Sequence, residues 1–280
     1  MPTTTIALLG AFAGLTIYLG LPIAFLKRTP QALKIFLNML ATGVLIFLLF
    51  DVVSKASDPI NSALDEMRTQ HLGMGLFSLD VSLFVLGTAL GSVGLVYFNR
   101  TVFGRIHVKK TVTIEGEQHS QRSTIVEKGE LTAPALALLI ATGIGLHNFS
   151  EGLAIGQSAA TGALQLAMVL IIGFGLHNMT EGFGIAGPLT GQPVSWGFVA
   201  LLGLIGGGPT FLGTIVGIMF HSPQIFILFL ALAAGAIIYV IVELLGMAKR
   251  FKAPELVMWG LLIGFLLGYA TDLIVTYGGA

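Results

Sequence analysis

Eight apolar runs divide the chain, at about 5–26, 32–54, 74–98, 133–156, 164–187, 196–220, 225–247 and 256–277. Each is long enough to cross a bilayer as a helix, which takes ~20 residues. The pattern predicts an all-α integral membrane protein with eight transmembrane helices, read as a single domain over 1–280. The first run starts at Thr5 with no Lys or Arg before it. A secretory signal needs a basic start, so this run reads as a retained span. One polar stretch is long, 99–131, and it predicts a mobile cytoplasmic loop between spans three and four. Its His107 and His119 read as ordinary loop histidines, with transient metal binding as the alternative. The 55–71 connection is expected to hold a short surface helix.

Composition agrees. Hydrophobic residues make up 55% of the chain and charged ones 10%, with mean hydropathy +0.90 and formal net charge +0. Surface charge is too scarce for a soluble enzyme, a disordered protein or a nucleic-acid binder. Of the fourteen basic residues, twelve lie in the odd-numbered connections: Lys27, Arg28 and Lys34, six between Arg100 and Lys128, and Lys249, Arg250 and Lys252. Lys and Arg favour the cytoplasmic side, so both termini are expected outside the cell, in a multi-pass protein of the plasma or inner membrane. Cysteine is absent. Any metal must be held by nitrogen and oxygen ligands.

A duplicated motif carries the chemistry. Gly143-Ile-Gly-Leu-His147-Asn148-Phe-Ser150-Glu151-Gly152 recurs thirty residues later as Gly173-Phe-Gly-Leu-His177-Asn178-Met-Thr180-Glu181-Gly182. Both copies lie deep in apolar spans joined by a short uncharged link, so the two helices are expected to be antiparallel neighbours. His147 and Glu151 are four residues apart and share a helix face, with Asn148 beside them; the second copy repeats this. Facing each other, the helices offer two imidazoles, two carboxylates and two carboxamides, a set that suits Zn²⁺, Fe²⁺ and related ions. The alternative is a polar cluster that pins the helices together. Isolated charges at membrane depth cost at least ~2.5–3.5 kcal/mol each, and a divalent cation offsets two carboxylates directly.

On these paired motifs the chain resembles the ZIP family of divalent-metal transporters, of the prokaryotic type without an ectodomain. Gly235 through Glu243-Leu244 is similar to that family's seventh span. The resemblance implies an inverted 3+2+3 arrangement, a homodimer, and spans four and five moving against a scaffold of spans two, three, seven and eight. It assigns His147, Glu151, His177 and Glu181 to a primary metal site, and Asn148 and Asn178 with the same glutamates to an adjoining one. Two departures stand out. The family's usual motif proline is Ser150 and Thr180 here. The sixth span's Glu-Pro becomes Gly206-Gly207-Gly208-Pro209, with Gly208 where the glutamate would stand, so one strong metal site is expected rather than a full pair. The Gly-Gly-Gly-Pro run is expected to be a non-helical turn or hinge.

Other membrane acids are read one by one. Asp80 reads as a cation attractor at the entrance or as a helix cap. Glu243 reads as an exit-route residue or as a partner of Lys249 or Arg250. Asp51 and Asp272 read as interfacial charges, and His221 sits in an outer turn with no partner. The functional expectation is uptake of a divalent cation into the cytoplasm, zinc first, with iron, manganese and cadmium behind it. No cofactor beyond the transported ion, and no partner beyond the bilayer and a second copy, is expected. The alternatives are an intramembrane zinc metallo-hydrolase, and a metal-stabilised structural or sensor protein.

Overall fold

The computed structural model describes residues 2–26, 30–70, 73–98, 100–101, 110–113, 122–125, 132–160, 164–219, 222–248 and 252–277. Among the described residues, eight α-helices carry the fold: α1 (Thr3–Leu15), α2 (Gln31–Gln70), α3 (Met74–Phe98), α4 (Ala133–Ala160), α5 (Leu164–Ala186), α6 (Trp196–Met219), α7 (Pro223–Ala248) and α8 (Pro254–Tyr277). Among the described residues, α1–α4 and α6–α8 belong to segments long and apolar enough to cross a membrane by length and composition, the first of them running on from α1 to Phe25.

Local signals set the helix starts. The hydroxyls of Thr132, Ser195 and Ser222 accept from the backbone N–H groups of Ala135, Phe198 and Ile225 at 3.4, 3.2 and 3.3 Å. Each satisfies an N–H that the first turn leaves without an intrahelical partner. Pro223 and Pro254 open α7 and α8, where a missing N–H costs nothing.

α4 is the central helix, with 67% of its most apolar window buried, whereas α3 and α8 are peripheral at 11% and 17%. The main core gathers Ile17 from the first span, Leu48 of α2, Leu139, Ile140 and Ile144 of α4, and Leu230 and Leu244 of α7.

Close approach of the helices depends on glycines set against carbonyls. In α4 and α6, Gly145 abuts Ile205 O and Gly152 abuts Thr210 O, while Gly213 and Gly217 abut Phe149 O and Leu153 O in return. Gly14 of α1 and Gly207 of α6 face each other in the same way. Gly43 of α2 meets Leu261 O and Gly264 of α8 meets Leu40 O. Gly91 of α3 meets Leu232 O and Gly235 of α7 meets Thr88 O. The bundle thus falls into two closely packed groups, α1 with α4, α5 and α6, and α2 with α8 beside α3 with α7.

The structure departs from expectation in four places. α2 is one helix of 40 residues, roughly 60 Å long and about twice a ~30 Å hydrocarbon core. The expected separate surface helix at 55–71 is its continuation, which runs through Pro59; beyond it Gly73 has a φ of 86°. The first span tightens from α1 into 3₁₀ turns at Thr16–Leu19 and Leu21–Phe25, with Pro22 in the second. The Gly206–Pro209 stretch is not a non-helical turn: α6 runs through it with Pro209 inside. Pro209 has no N–H for Ile205 O, and Gly145 packs onto that carbonyl. The expected 99–131 loop lies largely outside the described residues, including His107 and His119, as does His221. Within it, Lys110–Thr113 pairs antiparallel with Arg122–Ile125, a short ribbon the all-α reading did not include.

Candidate functional site

The two motif copies meet in the buried middle of the bundle. His147, Asn148 and Glu151 of α4 are 0, 0 and 4% exposed, and His177, Asn178 and Glu181 of α5 are 7, 0 and 1% exposed. The two imidazole centroids are 6.0 Å apart. One ligand atom from each of His147, Glu151 and His177 lies within 4.8 Å of the others. Ligands of one Zn²⁺ sit at ~2.0–2.2 Å from it, so closing the trio onto an ion takes a shift of under about 1 Å.

The pairing inside each copy is loose. His147 Nε2 is 3.2 Å from Glu151 Oε1, and His177 Nε2 is 3.6 Å from Glu181 Oε1. Neither contact is aligned as a hydrogen bond, and both nitrogens are buried without a hydrogen-bond partner, as are Glu151 Oε2 and Glu181 Oε1. Burying such atoms unpaired costs free energy that a shared cation would offset.

The carboxamides are turned by their neighbours. Asn148 Nδ2 donates to Glu181 Oε2 and to Gly206 O, both at 3.0 Å. Both partners accept, so the nitrogen must face them and Oδ1 is left as a free acceptor. Asn178 Nδ2 donates to Ala13 O at 3.0 Å. That carbonyl, near the end of α1, also accepts from Thr16 Oγ1 at 2.7 Å. Asn178 Oδ1 is again free. Thr180 Oγ1 donates back to His177 O at 2.7 Å, as expected for the residue in the proline's place, while Ser150 Oγ has no partner.

A third helix orients one imidazole. Thr271 of α8 donates its hydroxyl to Gly268 O at 2.7 Å, which leaves the oxygen to accept from His177 Nδ1 at 3.4 Å. A proton on Nδ1 puts the lone pair on Nε2, the nitrogen that faces Glu181.

Asp51, read as interfacial, pairs with a lysine beside the site. Lys55 of α2 donates to Asp51 Oδ2 at 2.7 Å, and its ammonium is 5.5 Å from the Phe174 ring centroid on α5. It feels the charges of Glu151 and of Asp272 on α8. The sequence carried one signal of this: Asp51 and Lys55 are four residues apart in the favourable order for a helical pair.

The remaining candidates sit elsewhere. Asp80 is 2% exposed and accepts from Gln224 Nε2 at 3.0 Å, on the seam of α3 with α7. Glu243 is half-buried on α7, outside the His/Glu group; its expected partners Lys249 and Arg250 lie outside the described residues. Gly206 joins the site through its carbonyl. Gly208 does not face it: a Cβ there would meet only Leu204 at 3.3 Å, and the residue lines an apolar cavity of about 380 Å³ with Ala11, Leu15 and Leu212. The rotation of α6 turns this position, with Pro209 next to it, toward the cavity beside α1.

The family model described as ZIP Zinc transporter matches residues 104–271, more than half of the chain and both motif copies. No curated protein matches the chain.

Proposed function

The chain belongs to the ZIP zinc transporter family, and from that premise we propose that it carries Zn²⁺ across the membrane into the cytoplasm through His147, Glu151, His177 and Glu181. The family transports divalent metals and its members are not enzymes, so the metallo-hydrolase reading is set aside. The observation that carries the proposal is the set of buried, unpartnered donor atoms that converge from α4 and α5. Asn148 and Asn178 lend their free Oδ1 atoms to the same space. Fe²⁺, Mn²⁺ and Cd²⁺ are the competing cargoes, since nitrogen and oxygen ligands discriminate weakly among them.

The packing supports the inverted 3+2+3 reading. If α1, α2 and α3 correspond to α6, α7 and α8, and α4 to α5, several contacts have counterparts: α1 with α5 matches α6 with α4, α2 with α8 matches α7 with α3, and α2 with α5 matches α7 with α4. α1, α4, α5 and α6 would move as the cargo-bearing unit against the other four. The sparsely covered helices α3 and α8 leave an apolar face for lipid and for the proposed second copy. The outward termini and the plasma or inner membrane rest on the charge of the connections.

The test is competitive ion uptake into sealed proteoliposomes. Wild type should accumulate Zn²⁺ down its gradient, and His177→Ala and Glu181→Ala should not. If no divalent ion moves in wild type under any gradient, the proposal fails; tight Zn²⁺ binding without flux would favour a structural or sensor role instead.

A further inference from the structure

We propose that Lys55, held on Asp51 beside the transport site, is a fixed counter-cation that offsets part of the site's negative charge and weakens its hold on the divalent ion. The inference rests on the site reading above and adds a residue that none of the motifs contains.

Two contacts carry it, and the charges around them agree. Lys55 sits on α2, in the group of helices opposite α4 and α5, yet its ammonium reaches the Phe174 ring, three residues before His177. It donates to Asp51 Oδ2 at 2.7 Å, and its side chain keeps 37% of its surface exposed against 13% for Asp51. The charges of Glu151 and Asp272 both act on it. The charges of Asp51 and Lys55 also reach His177. An ammonium held on Asp51 and set against the α5 ring three residues before a proposed ligand is more than a surface pair.

The electrostatics follow from charge alone. Without cargo, Lys55 offsets part of the negative charge of Glu151 and lowers the cost of keeping it ionised. With a divalent ion between the imidazoles, ammonium and metal repel each other across a poorly screened gap. The Asp51 ion pair holds the ammonium in place, on a helix outside the proposed moving unit. Its repulsion weakens binding and speeds release, which a transport site needs and a storage site does not.

A plain structural ion pair and a counter-cation predict different signs. If the pair only braces α2, removing either partner harms the protein in the same direction. If Lys55 competes with cargo, Lys55→Met lowers the KM for Zn²⁺ uptake by roughly fivefold or more, the lower edge of ordinary coupling between ligands, and also lowers the maximal rate. Asp51→Asn frees Lys55 to turn toward Glu151 and raises KM. Lys55→Arg keeps the charge and a wild-type KM. The experiment is Zn²⁺ uptake by proteoliposomes holding each variant, with Glu181→Ala in the same series and Zn²⁺ affinity of the purified protein as a second readout. Opposite KM shifts in Lys55→Met and Asp51→Asn support the proposal. An unchanged KM in Lys55→Met, or shifts of the same sign, overturns it while the site reading stands. Uptake retained by Glu181→Ala overturns the site reading and this inference with it. Asp51→Asn keeps the claim testable if Lys55→Met does not fold.

Discussion

Thr271 offers a graded test of how the site is preorganised. Its hydroxyl proton is committed to Gly268 O at 2.7 Å, so toward His177 Nδ1 it can only accept, at 3.4 Å. Thr271→Val keeps the shape and removes the acceptor. A typical hydrogen bond contributes ~0.5–1.5 kcal/mol net, and one this long belongs in the lower half of that range. Losing ~0.5–1 kcal/mol of tautomer and ring orientation corresponds to about a two- to fivefold weaker affinity. The perturbation lies in binding, so the KM for Zn²⁺ uptake by proteoliposomes should rise by that factor while the maximal rate stays within about twofold. Thr271→Ser restores the acceptor and should restore KM. A wild-type KM in Thr271→Val, or a serine variant as impaired as the valine one, would refute the argument that α8 sets the tautomer of His177.

Three further outcomes are expected. Two imidazoles must be neutral and two carboxylates ionised to bind metal, so protons and cargo compete: uptake should fall by about tenfold between external pH of about 7.5 and about 5, spanning the ordinary His value of ~6.5, and recover when pH is raised; a flat profile would contradict the ligand set. A methyl group at Gly152 would strike Thr210 O, whereas nothing stands near Gly246, so Gly152→Ala should cost about 1–3 kcal/mol by overpacking while Gly246→Ala is neutral or mildly stabilising, as read by thermal unfolding in detergent. Gly208→Glu should leave the Zn²⁺ stoichiometry of the purified protein unchanged by metal analysis, because its side chain would point to the cavity beside Leu15; a second bound ion would show that α6 presents this position to the site after all.

The helices and the paired motifs were legible for a simple reason. Apolar runs and a four-residue His-to-Glu spacing are local properties, and helix geometry converts them directly into spans and shared faces. The family match agrees with the resemblance those motifs carried. What the sequence hid is what depends on neighbours from distant segments. Asp51 looked interfacial because charge near a span's end is ordinarily so; only the packing of α2 against α5 brings its partner Lys55 beside the site. The direction of Gly208 depends on the rotation of α6, which no spacing within α6 reports. The length of α2 is hidden because polar residues after Lys55 and Pro59 both suggest a boundary, yet the helix runs through them. Thr271 carried no signal of its own, since a lone threonine in a membrane helix commonly bonds only its own backbone.

The glycine contacts have a consequence for biogenesis. Each of the close ones described above joins helices far apart in the sequence: α1 to α6, α2 to α8, α3 to α7 and α4 to α6. Among the described glycines, those set most closely against carbonyls before α6 is made are Gly20 and Gly182, joining the end of the first span to α5. A chain emerging from the ribosome therefore holds five inserted helices with few of its closest contacts, and the bundle closes only as the last three arrive. Such long-range closure is slow. The early helices must be held by lipid or by a chaperone of insertion until then, and losing α8 should leave α2 exposed to degradation rather than merely shorten the protein.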